Sequence, residues 1–133
     1  MLAQVHLDEI KACLSSSPIL QTVSVSVEYA GHDHGYFRAR ATLINGDFLE
    51  IAEYFTVVGD FVRVQRYRHQ WMDPSQGILK KRWDNSRHFP DLPDFPHHIH
   101  IGSETQVFPG QSLGILDLIE VLEQEASGTT NKP

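Results

Sequence analysis

The chain has 133 residues, 41% hydrophobic and 21% charged, with a net charge of −6 and one cysteine. That balance is of a soluble globular domain and excludes a disordered chain, a disulfide scaffold and a bilayer-spanning helix, which needs roughly 20 apolar residues in a row. The charge is uneven: residues 61–90 carry seven Lys/Arg against two Asp/Glu, and the remainder four against fifteen, so a local basic strip can steer a polyanion despite the acidic total.

The N-terminal MLAQVHLDEIKACL has early acids and no basic start before an apolar core, so it does not read as a signal peptide. With the lone Cys13 it points to a reducing cytoplasm. Leu7, Ile10 and Leu14 recur at helical spacing, predicting an amphipathic helix over 4–15 with Cys13 as a packed thiol beside its apolar stripe. VSVSVEY (23–29) alternates and predicts a half-buried strand. A second strand follows over 36–43, and Asn45-Gly46 supplies a tight hairpin turn. A third strand runs to about Val58, a fourth from Phe61 to about Trp71 and a fifth near Ile78–Trp83. HHIHI (97–101) reads as a short sixth strand. Ser112 is the expected N-cap of a second helix from Leu113 to about Glu125, with Leu116, Ile119 and Leu122 inward. The expected fold is α+β, one domain over 1–126: an antiparallel meander of five to six strands, both helices on one face and the other face open. Residues 127–133 are an expected disordered tail.

Three features carry chemistry. In the third strand, Leu49, Ile51, Phe55 and Val57 share a face with Glu53, and a carboxylate there is costly to desolvate without a partner. Either a β-bulge re-aims it, or a basic partner holds it, or it is an acid of raised pKa able to act as a general base. In the fourth strand, strict alternation puts Phe61, Arg63, Gln65, Tyr67, His69 and Trp71 on one face and Val62, Val64, Arg66, Arg68 and Gln70 on the other. Aromatics interleaved with arginines suit base stacking and phosphate contact in single-stranded RNA, although a cross-strand aromatic ladder beside solvated arginines would look the same. Third, RWDNSRHFPDLPDFPHHIH (82–100) holds four of the eight histidines and three of the seven prolines, a stiff irregular loop.

That loop admits acid–base catalysis, since cleaving RNA takes a base for the 2′-hydroxyl, an acid for the 5′-oxygen and a cation on the phosphorane. It also admits a metal site, because His98 and His100 project from one face of an extended segment and Asp84 could complete it. Histidines that merely tie loop carbonyls together are the structural alternative.

The run RWDN-x-x-H-x-P-x-L-x-x-FPHH-x-H, with Arg82, Trp83, Asp84, Asn85, His88, Pro90, Leu92, Phe95, Pro96, His97, His98 and His100 in place, follows the acidic EY at 53–54 and Tyr67 and Trp71 of YRHQW. Together they resemble the TumE family of small prokaryotic proteins. The resemblance implies the toxin half of a type II toxin–antitoxin pair, neutralised by a small DNA-binding-type antitoxin, expected to be of helix-turn-helix kind. It does not fix the reaction. Joined to the residue chemistry, it leads to the expectation of a metal-independent endoribonuclease with no cofactor. His69, His88, His97, His98 and His100 are the proton-transfer candidates, with Glu53 as alternative base and Arg82 on phosphate. Arg66, Tyr67, Arg68, Trp71, Lys80, Lys81 and Arg87 are the RNA-binding candidates, and Asp84 and Asn85 would orient the loop. The alternatives are a nuclease or hydrolase using a divalent metal on His98, His100 and Asp84, and a non-enzymatic module that binds RNA or protein. A homo-oligomer is compatible with either.

Overall fold

The structure, a computed structural model, describes residues 2–127; the tail expected to be disordered lies almost wholly outside them. Helix α1 (Ala3–Ser16) opens the chain and helix α2 (Ile115–Ser127) closes the described part. Between them run β1 (Leu20–Ala30), β2 (His34–Leu43), β3 (Phe48–Val58), β4 (Phe61–Met72), β5 (Leu79–Asp84), β6 (His98–Ile101) and β7 (Val107–Pro109). They form one sheet in sequence order, every neighbouring pair antiparallel. The α+β meander is the one expected, but the sheet has seven strands among the described residues rather than five or six. The additional strand, β7, is three residues long, too short for any periodicity to show.

Residues directly opposite in an antiparallel pair share a face, so the register sorts the side chains. Phe37, Ala39, Ala41, Leu49, Ile51, Phe55 and Val57 are buried with Leu7, Ile10 and Leu14 of α1 and Ile115, Leu118, Ile119 and Leu122 of α2. Helix α1 lies across β1 and β2, and α2 lies against β3 and α1. At the turn into β2 the backbone approaches this core closely: a Cβ on Gly35 would come within 2.6 Å of the Phe55 ring. No helix among the described residues is long and apolar enough to cross a membrane.

Three local expectations are corrected. First, β1 is not half-buried: Val23, Val25, Val27 and Tyr29 are all exposed. It is the sheet's edge, and a register shift between Val25 and Val27 turns Val27 and Tyr29 to the face away from the helices. Second, β4 does not alternate strictly, because Tyr54 pairs with Arg66 and Phe55 with Val64. Gln65 is therefore an extra residue, and the bulge brings Val62 and Val64 onto the helix face with Tyr67, His69 and Trp71. Third, α2 starts at Ile115, not after a Ser112 cap. Its first amide is held instead by Glu53, whose Oε1 accepts the Ile115 N–H at 2.7 Å.

Glu53 itself is not re-aimed by a bulge, since the β2–β3 register runs unbroken through Phe37 and Glu53. It is 1% exposed, and its Oε2 accepts a hydrogen bond from His6 Nε2 at 2.7 Å. A buried carboxylate is tolerated here because both oxygens are satisfied.

Candidate functional site

The other face of the sheet carries Arg66, Arg68 and Gln70 from β4, Arg82 and Asp84 from β5, and His98 and His100 from β6, placed together by the pairs Arg68–Asp84, Gln70–Arg82, Asp84–His98 and Arg82–His100. The connection from β5 to β6, residues 85–97, has no regular structure, as its prolines require, and it folds back over this face. Asn85 anchors its start. The Asn85 side chain accepts the Tyr67 N–H at 3.1 Å and donates to the Gln65 carbonyl at 2.9 Å, continuing the β4–β5 ladder past its last backbone pair. Between loop and sheet lies a groove of about 890 Å³, walled by Tyr36, Arg66, Arg68, Arg87, His88 and Phe89, with Asp84 and His100 deeper in.

Three of its arginines are available. Arg66 stacks over the Tyr54 ring at 4.6 Å and Arg87 over Phe95 at 4.7 Å, while Arg68 donates to Gln70 Oε1 at 3.2 Å. None of the three forms an ion pair with a described residue. Arg82 is different. Its guanidinium is nearly buried and forks onto Glu104 at 2.7 and 2.5 Å, with a further bond to Asp84 Oδ2 at 3.2 Å. Glu104 above all holds that guanidinium protonated, and in turn Arg82 pulls the Glu104 carboxyl below its usual range. Arg82 therefore shapes the site rather than reaching into it.

Beneath the groove Asp84, His98 and His100 are all buried. Asp84 Oδ1 accepts the Ser86 N–H at 3.0 Å and lies 2.8 Å from His98 Nε2; Asp84 Oδ2 lies 4.0 Å from His100 Nε2. Burial would raise the Asp84 carboxyl, but the Ser86 amide above all, with the Arg82 guanidinium, outweighs it and lowers it. Burial holds the His100 imidazole below its ordinary value. The Phe89 ring closes the cluster, edge-on to His98 at 4.8 Å and to His100 at 5.8 Å.

A family model described as Toxin TumE matches residues 10–126, which includes every residue of this site. The chain belongs to the TumE toxin family. No curated protein and no solved structure matches it. Membership gives the protein a toxin role, with an antitoxin as the partner such a role implies.

In this TumE-family toxin the residues singled out from sequence fall into two groups. Arg66, Arg68, Asp84, Asn85, Arg87, His88 and His100 line the groove, joined by Arg82 and Tyr67; His98 lies under it. The others are elsewhere, and the Tyr67 ring turns to the helix face. His69 is fully buried on the helix face, where its Nε2 donates to the Leu113 carbonyl at 2.8 Å. Tyr67 is buried too; its hydroxyl donates to the Gln111 carbonyl at 3.1 Å and meets His97 Nδ1 at 2.9 Å. Trp71 Nε1 and Lys80 Nζ both donate to the buried Asp47, at 2.9 and 2.7 Å, and Lys81 pairs with Glu125 of α2. Glu53 is in the core. The Tyr67–His69–Trp71 row thus faces the helices and stacks no base on the open face.

Sequence reasoning gave no role to Glu104, Phe89, Tyr36 or Tyr54. Glu104 sits in the β6–β7 turn with nothing local to mark it. The two tyrosines were visible only as outward positions of alternating strands, once the register was known.

Proposed function

We propose that this toxin acts on RNA as an endoribonuclease, holding a single-stranded segment in the groove between the 85–97 loop and the open face of the sheet. The observation that carries the reading is the set of three arginines, Arg66, Arg68 and Arg87, that converge on one groove with no ion-pair partner among the described residues. Unpaired guanidiniums on an otherwise acidic protein suit phosphates, and Tyr36 on the groove wall offers a face for a base. His88 is the exposed loop histidine on the groove wall, placed to exchange a proton with the scissile phosphodiester or with solvent. The buried Asp84–His98–His100 cluster lies below that path, positioned by Arg82, Ser86 and Phe89.

The partner in this reading is a small protein antitoxin of a type II pair. The test is to incubate purified toxin with total RNA and with single-stranded oligonucleotides, alongside Arg66→Glu/Arg68→Glu and His88→Ala variants. Discrete cleavage by the wild type, lost in the arginine variant and slowed in the histidine one, is expected. RNA left intact by a preparation that remains toxic on expression would overturn the reading in favour of a binding toxin.

A further inference from the structure

Both histidines of the buried cluster are held in one tautomer by backbone carbonyls. His98 Nδ1 lies 3.0 Å from the Pro96 carbonyl oxygen, and His100 Nδ1 lies 2.9 Å from that of Glu104. A carbonyl only accepts, so each Nδ1 carries the hydrogen and each neutral ring is left with a bare Nε2. Those two Nε2 atoms and a carboxylate oxygen of Asp84 all lie within 4.8 Å of one another. Nδ1–H bonded to a carbonyl, with Nε2 turned inward beside a carboxylate, is how metal-binding imidazoles are oriented.

The decisive detail is at His98. Its Nε2 is 2.8 Å from Asp84 Oδ1, a hydrogen-bonding distance. Yet this fully buried nitrogen has no hydrogen-bond partner, because the ring does not point at the oxygen. A protonated His98 paired with Asp84 would aim its N–H along that line. Two ligands at right angles on one ion, each about 2.1 Å from it, stand about 3 Å apart without pointing at one another. The contact has that form.

We propose that Asp84, His98 and His100 form a binding site for one divalent first-row transition ion of the zinc, nickel or manganese class. Two imidazoles and one carboxylate are too nitrogen-rich for magnesium or calcium, which take oxygen. Arg82 beside Asp84 would repel a cation, but Glu104 takes its charge through a bidentate pair, and the guanidinium then serves to fix the carboxylate. Three protein ligands leave coordination positions free, and Asp84 and His100 border the deep end of the groove. An ion there would lie where a phosphate held by Arg66, Arg68 and Arg87 arrives. This last step rests on the ribonuclease reading; the site itself does not.

The experiment uses the full chain, purified without a histidine tag, stripped with chelator and returned to metal-free buffer. Calorimetric titration and elemental analysis with Zn²⁺ and with Mg²⁺ should show one equivalent of zinc bound and no magnesium. Loss of an ordered partner around a ligand already weakens metal sites about 10–100-fold, so His100→Ala and His98→Ala should weaken zinc by more than about 100-fold while His88→Ala leaves it unchanged. Should the alanine variants fail to fold, Co²⁺ bound to the wild type gives a second readout: visible bands of a nitrogen–oxygen site are expected. Wild type that takes up no stoichiometric transition metal overturns the proposal, as does zinc binding undiminished in a folded His98→Ala/His100→Ala double variant. RNA cleavage by protein that binds no metal would sink the metal site and keep the ribonuclease. Stoichiometric zinc on a toxin that leaves RNA intact would keep the site and sink the ribonuclease.

Discussion

Glu53 caps helix α2 from the middle of the sheet: its Oε1 accepts the Ile115 N–H at 2.7 Å across 62 residues of chain. Gly114, just before the helix, permits the approach, since a Cβ there would stand 3.0 Å from the same oxygen. The other carboxylate oxygen holds His6 of α1, so a single side chain ties both helices to β3. Replacing it with alanine strands a buried N–H and a buried imidazole. Glu53→Ala should cost about 3 kcal/mol or more, and Glu53→Gln distinctly less because the amide oxygen can still accept. Urea unfolding checks the order. A well-folded Glu53→Gln protein without RNA cleavage would instead make Glu53 catalytic.

His69 should govern the acid limb of stability. Burial pushes its imidazole from the ordinary 6.5 down to about 4, and its Nδ1 has no partner in the neutral ring. Between those values the unfolded chain binds a proton that the folded one refuses. Stability therefore is full above about pH 6.5 and falls as pH drops toward 4, by on the order of 3 kcal/mol. His6 acts with the opposite sign: burial lowers it, but Glu53 and Glu9 outweigh burial and raise it, so its contribution is full below about 6.5 and is lost as pH rises through its folded value. Denaturant midpoints of wild type and His69→Gln from pH 4 to 8 measure this. A flattened acid limb in the variant is expected, and an unchanged one would mean that His69 already protonates in the fold.

The three groove arginines should appear in the salt dependence of RNA binding. Each phosphate neutralised on a single strand contributes about −0.7 to the slope of log K against log salt. Reversing Arg66, Arg68 and Arg87 together should reduce the slope by about 2, with only a modest fall in melting temperature from the lost ring stacking of Arg66 and Arg87 and the Arg68–Gln70 bond. Reversing Lys80 should leave the slope alone and cost stability, since Asp47 loses its charged partner. Fluorescence anisotropy over a salt series distinguishes the two.

Tyr67 predicts a structural rather than a binding defect. Its hydroxyl donates to the Gln111 carbonyl and so must accept from His97 Nδ1–H, linking β4 to the start of β6 and to the segment before α2. Burial, with Asp84 next, raises its phenol well above the ordinary range, so the hydroxyl stays protonated at any working pH. Tyr67→Phe should cost about 1–2 kcal/mol by thermal unfolding with affinity for RNA preserved. Equal stability but lost affinity would put Tyr67 in the interface.

Much of the architecture was legible because the chain repeats simple periods. Leu7, Ile10 and Leu14 mark α1, and alternation marks β2 and β3 down to the anomalous Glu53. What was not legible depends on pairing between distant segments. The Gln65 bulge moves Tyr67, His69 and Trp71 to the helix side, and only the partners of β3 and β4 reveal it. The valines of β1 look like core until the strand is known to be the edge. In the site, the segment 82–100 announced itself by composition, and Asp84, His98 and His100 do meet. Its histidines nevertheless separate by face and depth: His88 on the groove wall, His97 with Tyr67, His98 and His100 beneath Phe89. Spacing alone could not sort them, because the loop's course is set by Asn85 at β4 and by the ladder of β5 with β6.

The most direct measurement of the central claim is an NMR titration of isotope-labelled toxin with a single-stranded oligonucleotide carrying 2′-deoxy sugars, so that it binds without being cut at a 2′-hydroxyl. The arginine groove predicts shifts concentrated at Arg66, Arg68 and residues 85–89, with β1 and α2 unmoved. Saturable shifts on the β1 edge or the helix face, or none at all from a toxin that still cleaves RNA, would contradict it.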